Sequence, residues 1–213
     1  MTDYIYKHTI FTPIYNRVEM LKNVYESIKQ LDYPKEDFEW LIIDDGSTDD
    51  IDLTINSFDL QSVNIRVIHK SNGGIHTAQN SAIRFAKGMY VTRIDSDDYI
   101  LPDALKNKDI CISKIPPLQF ETCIGVVGLC LNKKDGSIRG SSFPQNEVLS
   151  TGVEQRRLGV TGDKNFCMKT EIMLKYLIPE HDDTKWVPEG GVLWGQIDKH
   201  YTTFFVNIPF SVC

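Results

Sequence analysis

Residues 40–50 read WLIIDDGSTDD. An apolar run gives way in one step to two carboxylates, a glycine and a string of hydroxyl and acidic side chains. Phe38–Ile43 therefore reads as a strand closed by Asp44-Asp45-Gly46-Ser47. A short helix follows over Asp50–Phe58, with Ser47 or Thr48 as its N-cap and Asp49 and Asp50 in its first turn, where the helix dipole favours acids. A strand that is apolar on both sides belongs to a sheet covered on both faces.

The same punctuation repeats outward from this stretch. His8–Thr12 is a strand that ends at Pro13 and enters Tyr15-Asn16-Arg17. Val18–Leu31 carries apolar residues at helical spacing and stops at Tyr33-Pro34. Ile65–His69 is a third strand, Ser71–Ile75 a glycine-paired loop, and His76–Ala86 a helix with Gly88 as its C-terminal stop. Tyr90–Ile94 is a fourth strand, ending at Asp95-Ser96-Asp97-Asp98. Strands alternating with helices predict an α/β fold, with a Rossmann-like, mostly parallel central sheet flanked by helices. Ligands of such sheets sit at the carboxyl ends of the strands, where all three polar clusters lie.

The second half predicts a smaller mixed region. Val126–Leu131 and Ser137–Gly140 flank Asp135-Gly136, a hairpin signal. Lys169–Leu177 and Gly190–Lys199 read as helices, and Thr203–Ile208 as a late strand.

The chain has 213 residues, 41% hydrophobic and 24% charged, which is ordinary globular composition and sets aside disorder, collagen and coiled coil. Its 23 basic and 29 acidic residues leave a net charge of −6, which disfavours nucleic-acid backbone binding. The five cysteines show no C-x-x-C spacing, so neither a zinc knuckle nor a disulfide framework is expected. Met1–His8 lacks an apolar signal core, and no apolar run reaches the ~18 residues of a spanning helix. The reading is a soluble, cytoplasmic protein that can still touch a membrane peripherally.

Three carboxylates in four residues at 95–98 repel one another unless a cation or solvent offsets them. In extended backbone Asp95 and Asp97 project to one side. Oxygen ligands at this spacing suit Mn²⁺ or Mg²⁺, leaving room on the ion for substrate phosphate oxygens. The alternative is a solvated acidic turn ahead of a helix starting near Pro102-Asp103. The EF-hand glycine and distal glutamate are missing. Asp44 and Asp45 suit a hydrogen bond from a base or ribose. Tyr15 can stack on a base. Asn72-Gly73-Gly74 lets backbone approach a diphosphate, and His76 opens the next helix, whose N-terminus favours anions.

FTPIYNR (11–17), WLIIDDGSTDD (40–50), NGGIHTAQNSAIRFAKG (72–88) and VTRIDSDDYILPDAL (91–105) together resemble the family 2 inverting glycosyltransferases of the GT-A fold. The likeness runs over residues 8–105, about half the chain. It implies one GT-A domain over 1–213, with a nucleotide-sugar-binding half (8–105) and an acceptor-binding half (106–213). It implies a hexosyltransferase moving sugar from a nucleotide-diphosphate sugar, UDP being the commonest base of the family, to a glycan or lipid-linked glycan acceptor in surface polysaccharide synthesis. By this resemblance Thr12, Pro13, Tyr15, Arg17, Asp45, Asn72, Gly74, His76, Asp95 and Ser96 surround the donor. Asp97, helped by Asp95 or Asp98, takes the metal. Ile75 and Gln79 stand where the family often has basic residues, which leaves the metal, His76, Arg84 or Arg93 to meet the diphosphate charge. GDKNFCMKTEIMLKYLIPE (162–180) and VPEGGVLWGQIDKHY (187–201) look like the acceptor half of bacterial members. They make Glu189 the first candidate for general base and Asp163 the second.

The competing expectation is an impaired nucleotide-sugar-binding homologue or a truncated fragment, since relatives continue past this chain's last strand. A nucleotidyltransferase needs a glycine-rich phosphate loop that FTPIYNR lacks. A D-x-D phosphatase usually has Thr or Val where Tyr99 stands.

Overall fold

The computed structural model describes residues 4–181 and 184–213, so Met1–Asp3 of the leader reading lie outside the described residues. In chain order the first half runs β1 (Tyr6–Ile14), α1 (Leu21–Lys29), β2 (Phe38–Asp44), α2 (Ile51–Asn56), β3 (Ile65–His69), α3 (Ile75–Phe85) and β4 (Gly88–Arg93). The second half runs β5 (Tyr99–Ile100), α4 (Ala104–Ser113), α5 (Pro117–Phe120), β6 (Cys123–Leu131), β7 (Glu147–Ser150), α6 (Gly152–Arg157), β8 (Lys164–Lys169) and α7 (Thr170–Met173). A π-helical turn (Gly190–Trp194) then leads through α8 (Gly195–Ile197) into β9 (Thr202–Val212).

Among the described residues one sheet holds nine strands, in the order β3-β2-β1-β4-β8-β6-β9-β5 with β7 on β9. β3, β2, β1 and β4 are mutually parallel. The chain leaves β1 for β2 on one side and returns to β4 on the other, so the carboxyl end of β1 is a topological switch point. Beyond β4 the sheet becomes mixed: β8 runs antiparallel to both β4 and β6, while β9 runs parallel to β6.

Strand alternation divides the core between the two faces. Ile10, Trp40 and Ile42 pack with α1 residues Leu21, Val24 and Ile28. Phe11, Leu41 and Ile43 pack with α3 residues Ala78, Ala82 and Ile83. Every residue of β2 is buried, which is why its sequence is almost continuously apolar.

Several sequence expectations need correction. The long first helix is a 3₁₀ turn at Val18–Met20 followed by α1. The N-cap of α2 is Asp50, whose carboxylate accepts from Leu53 N at 2.8 Å. Gly88 opens β4 rather than stopping α3; a Cβ there would lie 2.3 Å from Thr9 N, so the glycine permits close approach of β1. The predicted hairpin reduces to one bridge, Leu131 to Ile138. Most of Lys169–Leu177 is not helical: Lys169 ends β8, and only Thr170–Met173 coils, because the apolar spacing there serves a strand-to-turn corner. Among the described residues no helix is long and apolar enough to cross a membrane.

Candidate active site

The carboxyl ends of β2 and β3 build one wall of the site. Asp44 accepts from Ser47 N at 2.8 Å and pairs with His69 Nδ1 at 2.9 Å. The hydrogen bond to Asp44 holds the His69 imidazole above its usual pKa range. Asp45 turns the other way and gathers the loop after β3. Its carboxylate accepts from Lys70 Nζ at 2.5 Å, Gly73 N at 3.0 Å and Gly74 N at 2.8 Å. Asn72 Nδ2 donates to the Asp45 carbonyl at 2.9 Å. Gly74 has φ +93°, and a Cβ there would strike the Lys185 carbonyl at 1.9 Å, so only glycine fits.

β1 ends beside this wall. Asn16, at φ 51°, accepts from Thr48 N at 2.8 Å, while its own N–H donates to Ser47 Oγ at 3.0 Å. These bonds fasten the β1 turn to the Asp45 loop and leave the Tyr15 ring 50% exposed beside it. Arg17 is also exposed, with Nη1 4.0 Å from Asp97 Oδ2.

Residues 95–98 form a tight turn closed by Asp98 N to Asp95 O at 2.9 Å, which replaces the extended arrangement expected from sequence. Asp95 is gripped by Arg93, with Nε at 2.6 Å from Oδ1 and Nη2 at 3.3 Å from Oδ2. Arg93 Nη1 also donates to Glu189 Oε1 at 2.9 Å and to Gln79 Oε1 at 3.1 Å. Burial pulls the guanidinium pKa down, but the Asp95 and Glu189 carboxylates outweigh it and hold Arg93 above its usual range. Burial pushes the Asp98 carboxyl above its usual range, only partly offset by the Lys133 ammonium 3.2 Å away. Lys133 also donates to the Asp97 carbonyl.

Other predicted residues are placed differently. Thr12 is wholly buried and its Oγ1 accepts from Trp40 Nε1 at 3.0 Å, so its side chain serves the core. Pro13 is buried in β1. His76 is 0% exposed, and neither ring nitrogen has a hydrogen-bond partner among the described residues. It therefore offers no surface to a diphosphate in this conformation. Ser96 is buried inside the acidic turn. Asp163 is exposed and pairs with Arg139 Nε at 2.5 Å.

Among the described residues no three His, Cys, Asp or Glu side chains form a ready cation cage. The donor set instead fits an ion held by one or two carboxylates and completed by phosphate oxygens. Asp97 presents an exposed carboxylate whose nearest ion-pair partner among the described residues is Arg17, and Asp95 stands in the same turn.

On the other side of Asp95 a cavity of about 680 Å³ opens beneath β6, β8 and β9, and Glu189 stands on its wall. Asp95 and Asp98 of the acidic turn line this cavity as well, and Arg93 bridges Asp95 to Glu189 on its wall.

Residues 9–107 match the family model described as Glycosyl transferase family 2. The chain belongs to that family. A chondroitin synthase of Pasteurella multocida is 33% identical over 149 residues, 68% of this chain and 15% of the synthase. The crystal structure of Staphylococcus aureus TarS 1–349 superposes with a TM-score of 0.79 at 20% identity, covering 97% of this chain and 60% of that one. The same TarS fragment in complex with UDP-GlcNAc superposes with a TM-score of 0.77 at 20% identity, over 97% and 58% of the two chains. The mannosyltransferase PcManGT of Pyrobaculum calidifontis, crystallised with GDP-Man and Mn²⁺, gives 0.64 at 18% identity, over 97% and 56%. These likenesses show the fold, which is GT-A. The chain spans 15% of the length of the chondroitin synthase.

Within this family 2 frame, sequence reasoning missed Lys70 and Lys133. Lys70 carried a signal, a lone cation at the end of β3 just before Asn72. Lys133 reaches the acidic turn from the end of β6, and nothing in local spacing connects the two.

Proposed function

We propose that this family 2 chain carries a glycosyltransferase that moves a sugar from a nucleotide-diphosphate sugar, with uridine as the base, to an acceptor hydroxyl with inversion. The observation that carries the reading is Arg93, which joins the acidic turn to Glu189 on the cavity wall. The TarS complex with UDP-GlcNAc and the chondroitin synthase relative support a UDP-sugar donor and polysaccharide synthesis. Residues 8–105 form the donor half and residues 106–213 the acceptor half of one domain. The work is cytoplasmic, with peripheral membrane contact when the acceptor is lipid-linked.

Tyr15 stacks on the base, and the loop tied to Asp45 lines its edge. Asp97, with Asp95, would hold Mn²⁺ or Mg²⁺, and a bound ion supplies positive charge to the diphosphate that leaves. Arg93 holds Glu189 through Oε1, which leaves Oε2 to accept the proton of the attacking hydroxyl. Inversion follows from a single displacement: the acceptor oxygen bonds to the anomeric carbon as the bond to the diphosphate oxygen breaks. The hydroxyl proton passes to Glu189, and nucleoside diphosphate departs.

The test is a thermal-shift panel of UDP, GDP, CMP and dTDP, each with and without Mn²⁺. A ligand of the folded state at a hundredfold excess over its Kd adds about 2.7 kcal/mol of stability. UDP stabilising more strongly with Mn²⁺ than without is expected. No shift with any nucleotide overturns the donor site.

A further inference from the structure

The turn at residues 95–98 carries three carboxylates, and the fold treats each one differently. Arg93 grips Asp95 with two nitrogens, at 2.6 and 3.3 Å. Lys133 stands 3.2 Å from the Asp98 carboxylate. Asp97 forms its only ion pair among the described residues with Arg17, at 4.0 Å, and both of those side chains are more than half exposed. Solvent screens such a pair, so it holds the Asp97 carboxylate weakly. Two of the three acids are engaged by close cations, and one is left available.

Lys133 does more than pair with Asp98. Its ammonium also donates to the Asp97 carbonyl and lies over the Tyr99 ring, 5.1 Å from the centroid. Three consecutive residues, 97, 98 and 99, thus gather around one group that has three N–H donors. The side chain reaches them from a braced backbone. Lys133 N donates to the Cys213 carbonyl at 3.1 Å and Cys213 N to the Leu131 carbonyl at 2.8 Å. Asn132 N to Ser137 O, at 2.8 Å, and Gly136 N to Asn132 O, at 2.9 Å, close the loop that follows. Asp97 is therefore held by its carbonyl from the β6 side, while its carboxylate faces Arg17 beyond β1. The Asp98 side chain is the more enclosed of the two, 19% exposed against 53%. A divalent ion nearing Asp98 meets the Lys133 charge first and is repelled by it. The same ion nearing the Asp97 carboxylate displaces only water and a distant guanidinium.

Resting on the reading of the acidic turn as the seat of Mn²⁺ or Mg²⁺, we propose that Lys133 is the positioning residue that decides which carboxylate the ion meets. By clamping the Asp97 carbonyl and occupying the Asp98 carboxylate, it withholds Asp98 and reserves the Asp97 carboxylate for the ion. Lys133 itself touches neither the ion nor the reacting atoms.

The test is Mn²⁺ affinity, read with and without UDP from the relaxation of water protons, which quickens when the ion is held on a slowly tumbling protein. Asp97→Ala is expected to weaken Mn²⁺ by at least about tenfold, the scale of one carboxylate beside a divalent ion. Lys133→Met releases Asp98, so Asp97→Ala combined with Lys133→Met is expected to bind Mn²⁺ about tenfold more tightly than Asp97→Ala alone. Adding Asp98→Asn should cancel that gain, which the loss of a positive charge alone would not do. Lys134→Met removes the exposed neighbouring charge, and in the Asp97→Ala background it should shift affinity by less than about threefold. Lys133→Gln is the second variant, since its amide still reaches the Asp97 carbonyl if methionine disturbs the turn. Recovery that is missing from both the methionine and glutamine variants, that survives Asp98→Asn, or that Lys134→Met matches overturns the role of Lys133 and leaves the ion reading standing. Wild-type affinity in Asp97→Ala overturns it too. No Mn²⁺ held by the wild type in either condition overturns the ion reading, and this inference with it.

Discussion

Asp95 and Glu189 share one guanidinium. Arg93 donates to Asp95 at 2.6 Å and to Glu189 at 2.9 Å, so one side chain fixes the position of both carboxylates. Replacing Arg93 leaves both carboxylates without their cation. Their side chains are 41% and 26% exposed, so water compensates much of the lost pairing and the chain should still fold. What is lost is position, and a misplacement of ~1 Å can cost ~10²-fold in rate. Arg93→Met is expected to lower kcat by about that factor, with Arg93→Lys between it and wild type, because an ammonium cannot reproduce the planar fork. Steady-state transfer at saturating donor checks this, and equal rates in all three proteins would sink it.

The base assignment has its own signature. Glu189→Gln keeps the size of the side chain and a carbonyl for Arg93 but cannot take a proton. Transfer should fall by ~10²–10⁴-fold, the usual contribution of a general base, while the UDP thermal shift is unchanged. A variant that loses UDP binding along with turnover would place Glu189 in the donor site instead.

Asp45 is expected to matter for stability as well as for the donor. Its carboxylate, 5% exposed, takes Lys70 and two backbone N–H groups. An unsatisfied buried donor costs ~1–3 kcal/mol, and part of this loop can rehydrate. Asp45→Ala should therefore destabilise the fold by about 2–4 kcal/mol, at roughly 2–4 °C of melting temperature per kcal/mol for a domain of this size. Calorimetry without nucleotide isolates this effect. An unchanged melting temperature would mean that the loop after β3 is held by other contacts.

The first half of the fold was legible because its strands are short apolar or β-branched runs that end in polar clusters; Phe38–Asp44, buried along its whole length, shows this most plainly. The second half was not, because its order comes from distant pairing. β8 ends in Lys169 and Met168, which pair with Tyr90 and Val91 of β4, and no local pattern in FCMKTEIML distinguishes that strand from a helix. The acidic turn and Glu189 stood out as residues. Arg93 stood out only as one of several basic candidates, since its role depends on Gln79, Asp95 and Glu189 meeting around it. Lys133 was invisible for the same reason: an ion pair between the end of β6 and the acidic turn leaves no periodicity. The burial of Thr12 and His76 depends on neighbours supplied by the rest of the fold.

The acidic turn gives a metal-specific expectation. The Asp97 carboxylate is exposed and meets only the Arg17 guanidinium, 4.0 Å away, among the described residues, whereas Asp98 is engaged by Lys133 at 3.2 Å. Asp97→Ala should abolish the part of the UDP thermal shift that depends on Mn²⁺ and keep the part that does not. Asp98→Asn should keep both. If Asp98→Asn removes the Mn²⁺ dependence and Asp97→Ala does not, the ion is held from the other side of the turn.

Lys108 offers a pH test independent of catalysis. It lies wholly buried on α4, donating to Thr92 Oγ1 at 3.0 Å and Asn165 Oδ1 at 2.7 Å, and forms no ion pair among the described residues. Burial pulls its ammonium down to about 8. The unfolded chain, in which the lysine titrates near 10.5, then holds more protons than the folded chain between these values. Stability contributed by this group therefore rises with pH through that window, by at most about 1.4 kcal/mol per pH unit. Cys167, pushed up to about 11 by burial, acts with the opposite sign once its unfolded thiol ionises near 9. The comparison is best made below that point, as the difference between wild type and Lys108→Met in urea unfolding from about pH 7.5 to about pH 9. Wild type is expected to gain stability relative to the variant across this range. Parallel curves would mean that Lys108 keeps its proton in the core and that Thr92 and Asn165 solvate it fully.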